Sequence, residues 1–239
     1  MRLPLPRWFA HRGGGLLAPE NTLAGIRLAA HMGFSAVEFD VMLSADGTPV
    51  LIHDDTLERT TNGQGAVAEI DDARLFALDA GGGQRIPRLD EAAWLCRQLG
   101  LLANVEIKPS PGMDRQTAQV VCEQVGRLWH GAAIQPLISS FSLAAMAVVQ
   151  EVLPQARRGV LFEVVPSDWL AILQRLGAQS LHCDADTLSK SVLRDAVDRD
   201  IPVLCYTVND LAQAESLLAD GVSSLFTDRL DLFAPGRGR

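Results

Sequence analysis

The sequence predicts a TIM (β/α)8 barrel with a small insertion after its second strand. Three observations predict it. Short apolar runs recur near residues 9, 38, 105, 138, 160, 182, 204 and 225, and from Leu89 onward each is followed by one amphipathic helical pattern. Eight such units fit the 239 residues of the chain better as a closed barrel than as an open doubly wound sheet. Polar and charged residues gather at the C-terminal ends of these runs, where barrels of this kind keep their functional groups. No linker or composition shift divides the chain, so one domain over 1–239 is expected, with an inserted subdomain at about 55–87.

The elements follow in order. Residues 7–11 form an apolar run that ends in His11-Arg12 and meets Gly13-Gly14-Gly15, a strand entering a glycine turn. Pro19-Glu20-Asn21-Thr22 opens a helix that Asn21 or Thr22 can cap, with Leu23, Ile26, Leu28 and Ala30 on its apolar face and Gly33 at its end. Residues 36–41, Ala-Val-Glu-Phe-Asp-Val, read as a strand that carries Glu38 and Asp40 on one face and Phe39 and the valines on the other. The turn signal Asp46-Gly47 leads to a second extended run over 49–54, which pairs with the Glu38 strand or continues it. Residues 55–87 are polar, carry Thr60-Thr61-Asn62-Gly63 and Gly81-Gly82-Gly83, and hold one short helical pattern over 71–78. That length exceeds a normal βα connection, hence the insertion beside the site. Helices are then predicted over 90–99, 114–129, 142–152, 167–176, 189–197 and 210–219, with a tail helix near Leu230.

Composition narrows the function. Hydrophobic residues at 48% and charged residues at 21% suit a globular domain. A formal net charge of −8 opposes a nucleic-acid surface, which needs a basic stripe, but does not exclude an anionic substrate in a local pocket. Cys96, Cys122, Cys183 and Cys205 are scattered without zinc or redox spacing, and read as reduced thiols. The sequence contains no 18-residue apolar run and its opening residues do not resemble a signal peptide, so neither stable membrane insertion nor export is expected, and the cytoplasm is the simplest location.

The chemistry sits on the strand ends. Glu38 and Asp40 on the second strand and Glu106 on the third supply hard oxygen ligands suited to one divalent cation, Mg2+ or Ca2+, with Mn2+ also compatible. The alternative for these acids is ion pairing with Arg12 and Lys108. His11 and His53 can divide acid and base roles near neutral pH, and Asp54 or Asp55 can orient the ring of His53. Arg12 offers a fork to phosphate oxygens and Lys108 a point charge. Ser139, Ser140 and Phe141 end the fourth strand, and Tyr206, Thr207 and Asn209 the seventh.

His11-Arg12-Gly13, Pro19-Glu20-Asn21-Thr22, Glu38-Phe39-Asp40, His53-Asp54, Glu106-Ile107-Lys108 and Tyr206-Thr207-Val208-Asn209 resemble, in order, the motifs of glycerophosphodiester phosphodiesterases. Leu57-Glu58-Arg59-Thr60 and Asp79-Ala80-Gly81 add to the resemblance, which runs from about Arg7 to Asp228 and is greatest to cytoplasmic bacterial members associated with glycerol-3-phosphate uptake. The resemblance implies a TIM barrel that hydrolyses glycerophosphodiesters to sn-glycerol 3-phosphate and an alcohol. It implies that Glu38, Asp40 and Glu106 bind the metal, that His11 and His53 are acid and base, and that Arg12 and Lys108 hold the phosphate. It further implies that Glu20 is a metal or glycerol contact and that Phe141 and Tyr206 wall the glycerol. A glycerol 2-hydroxyl is one candidate nucleophile, giving a cyclic phosphate that water opens. Two other classes remain: a related barrel phosphodiesterase acting on lysophospholipids or phosphoinositides, and a catalytically silent phosphate-binding barrel.

Overall fold

The computed structural model describes residues 5–234; the first four residues of the N-terminal stretch considered above, and the last five of the chain, lie outside the described residues. Nine strands form one sheet: β1 (Trp8–Ala10), β2 (Ala36–Leu43), β3 (Pro49–Leu51), β4 (Leu102–Ile107), β5 (Leu137–Ser140), β6 (Arg157–Phe162), β7 (Ser180–Asp184), β8 (Val203–Tyr206) and β9 (Ser224–Thr227). All but β3 run parallel, and β1 pairs with both β9 and β2, so the eight parallel strands close into the expected TIM barrel. The run over 49–54 pairs with β2 rather than extending it. β2 continues past its parallel pairing with β4, and Val41, Met42 and Leu43 face Leu51, Val50 and Pro49 across an antiparallel hairpin.

Strand alternation sorts the side chains. Val37, Phe39 and Val41 point outward into the core beneath the helices, while Glu38 and Asp40 point into the barrel. The barrel interior is apolar at its base, where Phe9, Ala36, Leu102, Leu137, Leu204 and Phe226 pack together. Two residues further along each strand the lining turns polar: Ala36 gives way to Glu38 and Asp40, and Leu102 to Asn104 and Glu106. His182 is buried in this interior, with Nε2 3.0 Å from Ser180 Oγ. Burial pushes its pKa down to about 3, so it is a neutral structural ring. Gly159 makes room for it, since a Cβ there would lie 2.3 Å from the imidazole Nε2.

Helices α1 (Leu23–His31), α3 (Leu89–Leu99), α4 (Asp114–Leu128), α5 (Leu143–Val152), α6 (Trp169–Leu176), α7 (Lys190–Asp198), α8 (Leu211–Ala219) and the short α9 (Leu230–Phe233) cover the outside of the barrel; α2 (Asp72–Leu75) lies in the insertion. Thr22, not Asn21, caps α1 by accepting from the Gly25 amide at 3.2 Å. Gly25 also lets α1 press on the turn after β1, because a Cβ at this position would lie 2.7 Å from the Gly14 nitrogen. The helix expected over 71–78 is shorter than its pattern. After Leu75 the chain tightens, with Ala77 donating to the Arg74 carbonyl and Leu78 to that of Leu75. The inserted segment has its own small core, in which Leu57, Val67, Ile70, Leu75, Ala80 and Ile86 pack on Met42, Val50 and Ile52 of the hairpin region.

Candidate active site

A pocket of about 640 Å³ opens at the C-terminal end of the barrel, within the ordinary range for a small-molecule site. His11, Arg12, Glu38, Asp40, His53, Glu106, Lys108, Phe141 and Tyr206 line it together. Nine of the ten residues expected at the site thus share one cavity. Glu20 stands behind it.

The turn after β1 sets the first group. Arg12 adopts a left-handed backbone at φ 48°, an uncommon conformation for a non-glycine residue. That twist aims its amide at Glu38 Oε2 (2.8 Å) and its carbonyl at the amide of Asn21 (2.8 Å). Asn21, also left-handed at φ 55°, then clamps Asp40: its Nδ2 donates to Oδ2 at 2.8 Å, and its Oδ1 accepts from the Asp40 amide at 3.0 Å. Asn21 therefore orients a pocket acid instead of capping a helix.

Glu38, Asp40 and Glu106 are buried, and each offers a carboxylate oxygen within 4.8 Å of those of the other two. Two full charges at that spacing repel by roughly 3–4 kcal/mol at an effective dielectric of ~20. Burial, and then Asp40 and Glu106, raise the pKa of Glu38 well above its ordinary value. Burial, and then Asp40, push Glu106 up to about 8, although Lys108 and Arg12 pull against the rise. Glu38 Oε1 is buried without a hydrogen-bond partner. The ion pairs that would explain these acids are weak: Lys108 Nζ lies 4.0 Å from Asp40, Arg12 Nε lies 3.9 Å from Asp40, and His11 Nε2 lies 3.8 Å from Glu38. Three carboxylates around one point, one with an orphaned oxygen, would fit a divalent cation, since ligand distances of about 2.0–2.6 Å keep any two ligand oxygens within about 5 Å of each other.

Each pocket histidine is backed by a carboxylate. His11 Nδ1 is 2.7 Å from Asp228 Oδ1. Asp228 is held in turn by Asn209, whose Nδ2 donates to Oδ2 at 3.0 Å and whose Oδ1 accepts from the Asp228 amide at 2.8 Å. Burial works to raise the Asp228 pKa, but the bonds to His11 and Asn209 outweigh it and hold the group below the usual carboxylate range. His53 Nδ1 is 2.6 Å from Asp54 Oδ1, and its Nε2 meets Lys108 Nζ. Burial lowers the His53 pKa despite the pull of Asp40 and Asp54.

Glu20, expected as a metal or glycerol contact, lies outside the acid trio. Its carboxylate accepts from Arg12 Nη1 at 3.0 Å and from Arg59 Nη1 and Nη2 at 2.7 and 2.8 Å. These bonds lower its pKa against the opposing effect of burial. For Arg12, burial alone would lower the pKa, but Asp40, Glu20 and Glu38 outweigh it and raise it. On the far wall, Phe141 and Tyr206 meet edge-to-face with centroids 5.8 Å apart, and the Tyr206 hydroxyl donates to the Phe162 carbonyl at 2.9 Å. Asp228, Asn209, Asn21 and Arg59 are the polar partners that were not expected in these roles. Asp228 and Asn209 carried a signal, since Asp228 directly follows β9 and Asn209 lies three residues beyond β8 at the functional face.

The glycerophosphoryl diester phosphodiesterase family matches the chain over residues 11–232. A glycerophosphodiester phosphodiesterase of Caldanaerobacter subterraneus subsp. tengcongensis is 30% identical over 231 residues, covering 92% of each protein. One from Bacillus altitudinis is 32% identical over 235 residues, covering 92% of this chain and 93% of its own. Among solved structures, an Oleispira antarctica phosphodiesterase in complex with the product sn-glycerol-3-phosphate superposes with a TM-score of 0.89 at 35% identity, over 94% of this chain and 93% of that one. The glycerophosphodiester phosphodiesterase of Agrobacterium tumefaciens gives 0.79 at 29% identity over 96% and 99%. With the family match spanning nearly the whole described barrel, the chain belongs to the glycerophosphoryl diester phosphodiesterase family and is an enzyme of that kind.

Proposed function

We propose that the enzyme hydrolyses glycerophosphodiesters to sn-glycerol 3-phosphate and an alcohol, with one divalent metal ion and with His11 and His53 moving the protons. The observation that carries this reading is the close packing of three buried carboxylates, Glu38 and Glu106 among them poorly compensated, beside two histidines, each backed by a carboxylate, in one pocket. The sn-glycerol-3-phosphate bound to the Oleispira antarctica relative supports the choice of product.

Glu38, Asp40 and Glu106 would hold the ion. When bound, such an ion supplies Lewis-acid stabilisation of phosphate charge and lowers the pKa of an attacking hydroxyl. The protein's own groups do the rest. Arg12 and Lys108 bring positive charge to the phosphate oxygens. His53, whose pKa burial lowers, is fitted to accept the proton of the attacking hydroxyl, either water or the glycerol 2-hydroxyl, whose cyclic phosphate water then opens. His11, with Asp228 behind Nδ1, is fitted to carry a proton on Nε2 to the leaving alkoxide. Phe141 and Tyr206 offer an apolar wall to the glycerol carbons, while their partly exposed edges leave the mouth open for the alcohol portion.

The test is turnover of glycerophosphocholine, glycerophosphoethanolamine and lysophospholipids, with chelator and with Mg2+, Ca2+ or Mn2+ restored. We expect hydrolysis of the two short diesters, loss on chelation and recovery with at least one ion. His11→Ala and His53→Ala should each lower kcat by about 10²–10⁴-fold without unfolding the protein. Metal-independent turnover, or ordinary rates in both histidine variants, contradicts the reading. Turnover of lysophospholipids alone would move the substrate class.

A further inference from the structure

Arg59 stands on the inserted segment, outside the pocket lining, yet it holds at once two carboxylates that back residues of the pocket. Its Nε and Nη2 grip Asp54 at 2.5 and 2.9 Å, and its Nη1 and Nη2 grip Glu20 at 2.7 and 2.8 Å. Asp54 is the carboxylate on His53 Nδ1, and Glu20 is the carboxylate on Arg12 Nη1. A single unbroken path of charge-assisted hydrogen bonds therefore runs His53, Asp54, Arg59, Glu20, Arg12.

The backbone under Arg59 is fixed. Leu57 is buried in the core of the insertion, its amide donates to the Gly65 carbonyl at 3.0 Å, and its carbonyl accepts from both the amide and the hydroxyl of Thr61. The Arg59 side chain is 48% exposed, a setting in which ion pairs add little to stability. What a guanidinium fork does supply there is geometry, because two planar pairings fix both carboxylates relative to one another.

We propose that Arg59 is a positioning residue that orients the His53 ring through Asp54 and the Arg12 guanidinium through Glu20. The insertion thereby contributes to catalysis without touching the substrate. This inference rests on the roles given to His53 and Arg12 in the proposed function.

The test compares Arg59→Ala, Arg59→Lys, Asp54→Asn, Glu20→Gln and His53→Ala in steady-state kinetics on a glycerophosphodiester, with thermal unfolding measured for each. Asp54→Asn severs the His53 arm and should chiefly lower kcat. Glu20→Gln severs the Arg12 arm and should chiefly raise KM. Arg59→Ala should do both, lowering kcat/KM by ~10–100-fold, the range over which groups one step behind a reacting residue act. Its unfolding midpoint should stay close to that of the parent. Lysine, a point charge, should restore only part of the loss, and millimolar guanidinium should rescue Arg59→Ala and not Glu20→Gln. Unchanged kcat and KM in Arg59→Ala while His53→Ala is inactive would overturn the inference and leave the functional reading standing. So would a loss that follows the fraction of unfolded protein with no guanidinium rescue. Full activity in His53→Ala would overturn the functional reading, and this inference with it.

Discussion

Glu38 and Glu106 inside the pocket, and Asp54, Glu20 and Asp228 around it, are all carboxylates beside cations, but their surroundings act in opposite directions. Asp54 is held below the usual carboxylate range chiefly by the fork of Arg59, and Glu20 and Asp228 are held low by their hydrogen bonds in spite of burial. Glu38 and Glu106 are raised, because burial and neighbouring charge outweigh the cations within reach. The outer carboxylates are satisfied by the folded chain itself. The inner ones are not, and Glu38 keeps an unpartnered oxygen. The difference separates charges that the folded chain satisfies, which hold neighbouring side chains in place, from an unsatisfied cluster that could bind a cation.

Neutralising one carboxylate from each set breaks the comparison if it is wrong. Glu106→Gln should lower turnover by about 10²-fold or more, since it removes a proposed metal ligand. It should also stabilise the metal-free protein, on the order of 1–4 kcal/mol near pH 8, because a buried charge without adequate compensation is gone. Activity by steady-state assay and stability by denaturant unfolding check the two signs. Asp228→Asn should have a smaller effect on turnover, about 10–100-fold, since it acts through His11. Its stability should fall rather than rise, by about 1–3 kcal/mol, because Asn209 Nδ2 and His11 Nδ1 lose an ionised acceptor. Equal signs of the stability change in the two variants would erase the distinction.

The barrel was legible because its signal is local. Each βα unit repeats an apolar run and an amphipathic helix, and the i, i+2 spacing of Glu38 with Asp40 and of Glu106 with Lys108 follows from strand alternation. The pocket lining followed from the rule that places function at strand ends. What surrounds that lining was less legible, for physical reasons. Asp228 meets His11 only because barrel closure brings β9 beside β1, joining residues 217 positions apart. Asp54 reaches the ring of its neighbour His53 because β3 ends at Leu51; the rule that adjacent side chains point apart holds on a strand and lapses in the bend beyond it. Asn21 has the chemistry of a helix cap, but its left-handed backbone turns it to Asp40 and leaves the cap to Thr22. Arg59 lies in a polar segment whose pattern carries no direction, so its two partners appear only in three dimensions.

Metal-free stability against pH, with and without a divalent cation, tests the central claim most directly. Glu106 has its pKa raised above the unfolded value, so the folded state binds more protons between about 4.5 and about 8. Its contribution is full below that window and is lost as pH rises through it. Chelated wild-type protein should therefore lose stability across this range, and Glu106→Gln should lose less. At pH 8, Mg2+, Ca2+ or Mn2+ should raise the wild-type unfolding midpoint, by about 2.7 kcal/mol in stability at 100 times the dissociation constant. The same ion should flatten the pH dependence and give Glu106→Gln little or no shift. An unfolding midpoint that no divalent cation moves, or one that moves equally in wild type and Glu106→Gln, would contradict the assignment of Glu38, Asp40 and Glu106 as a metal site.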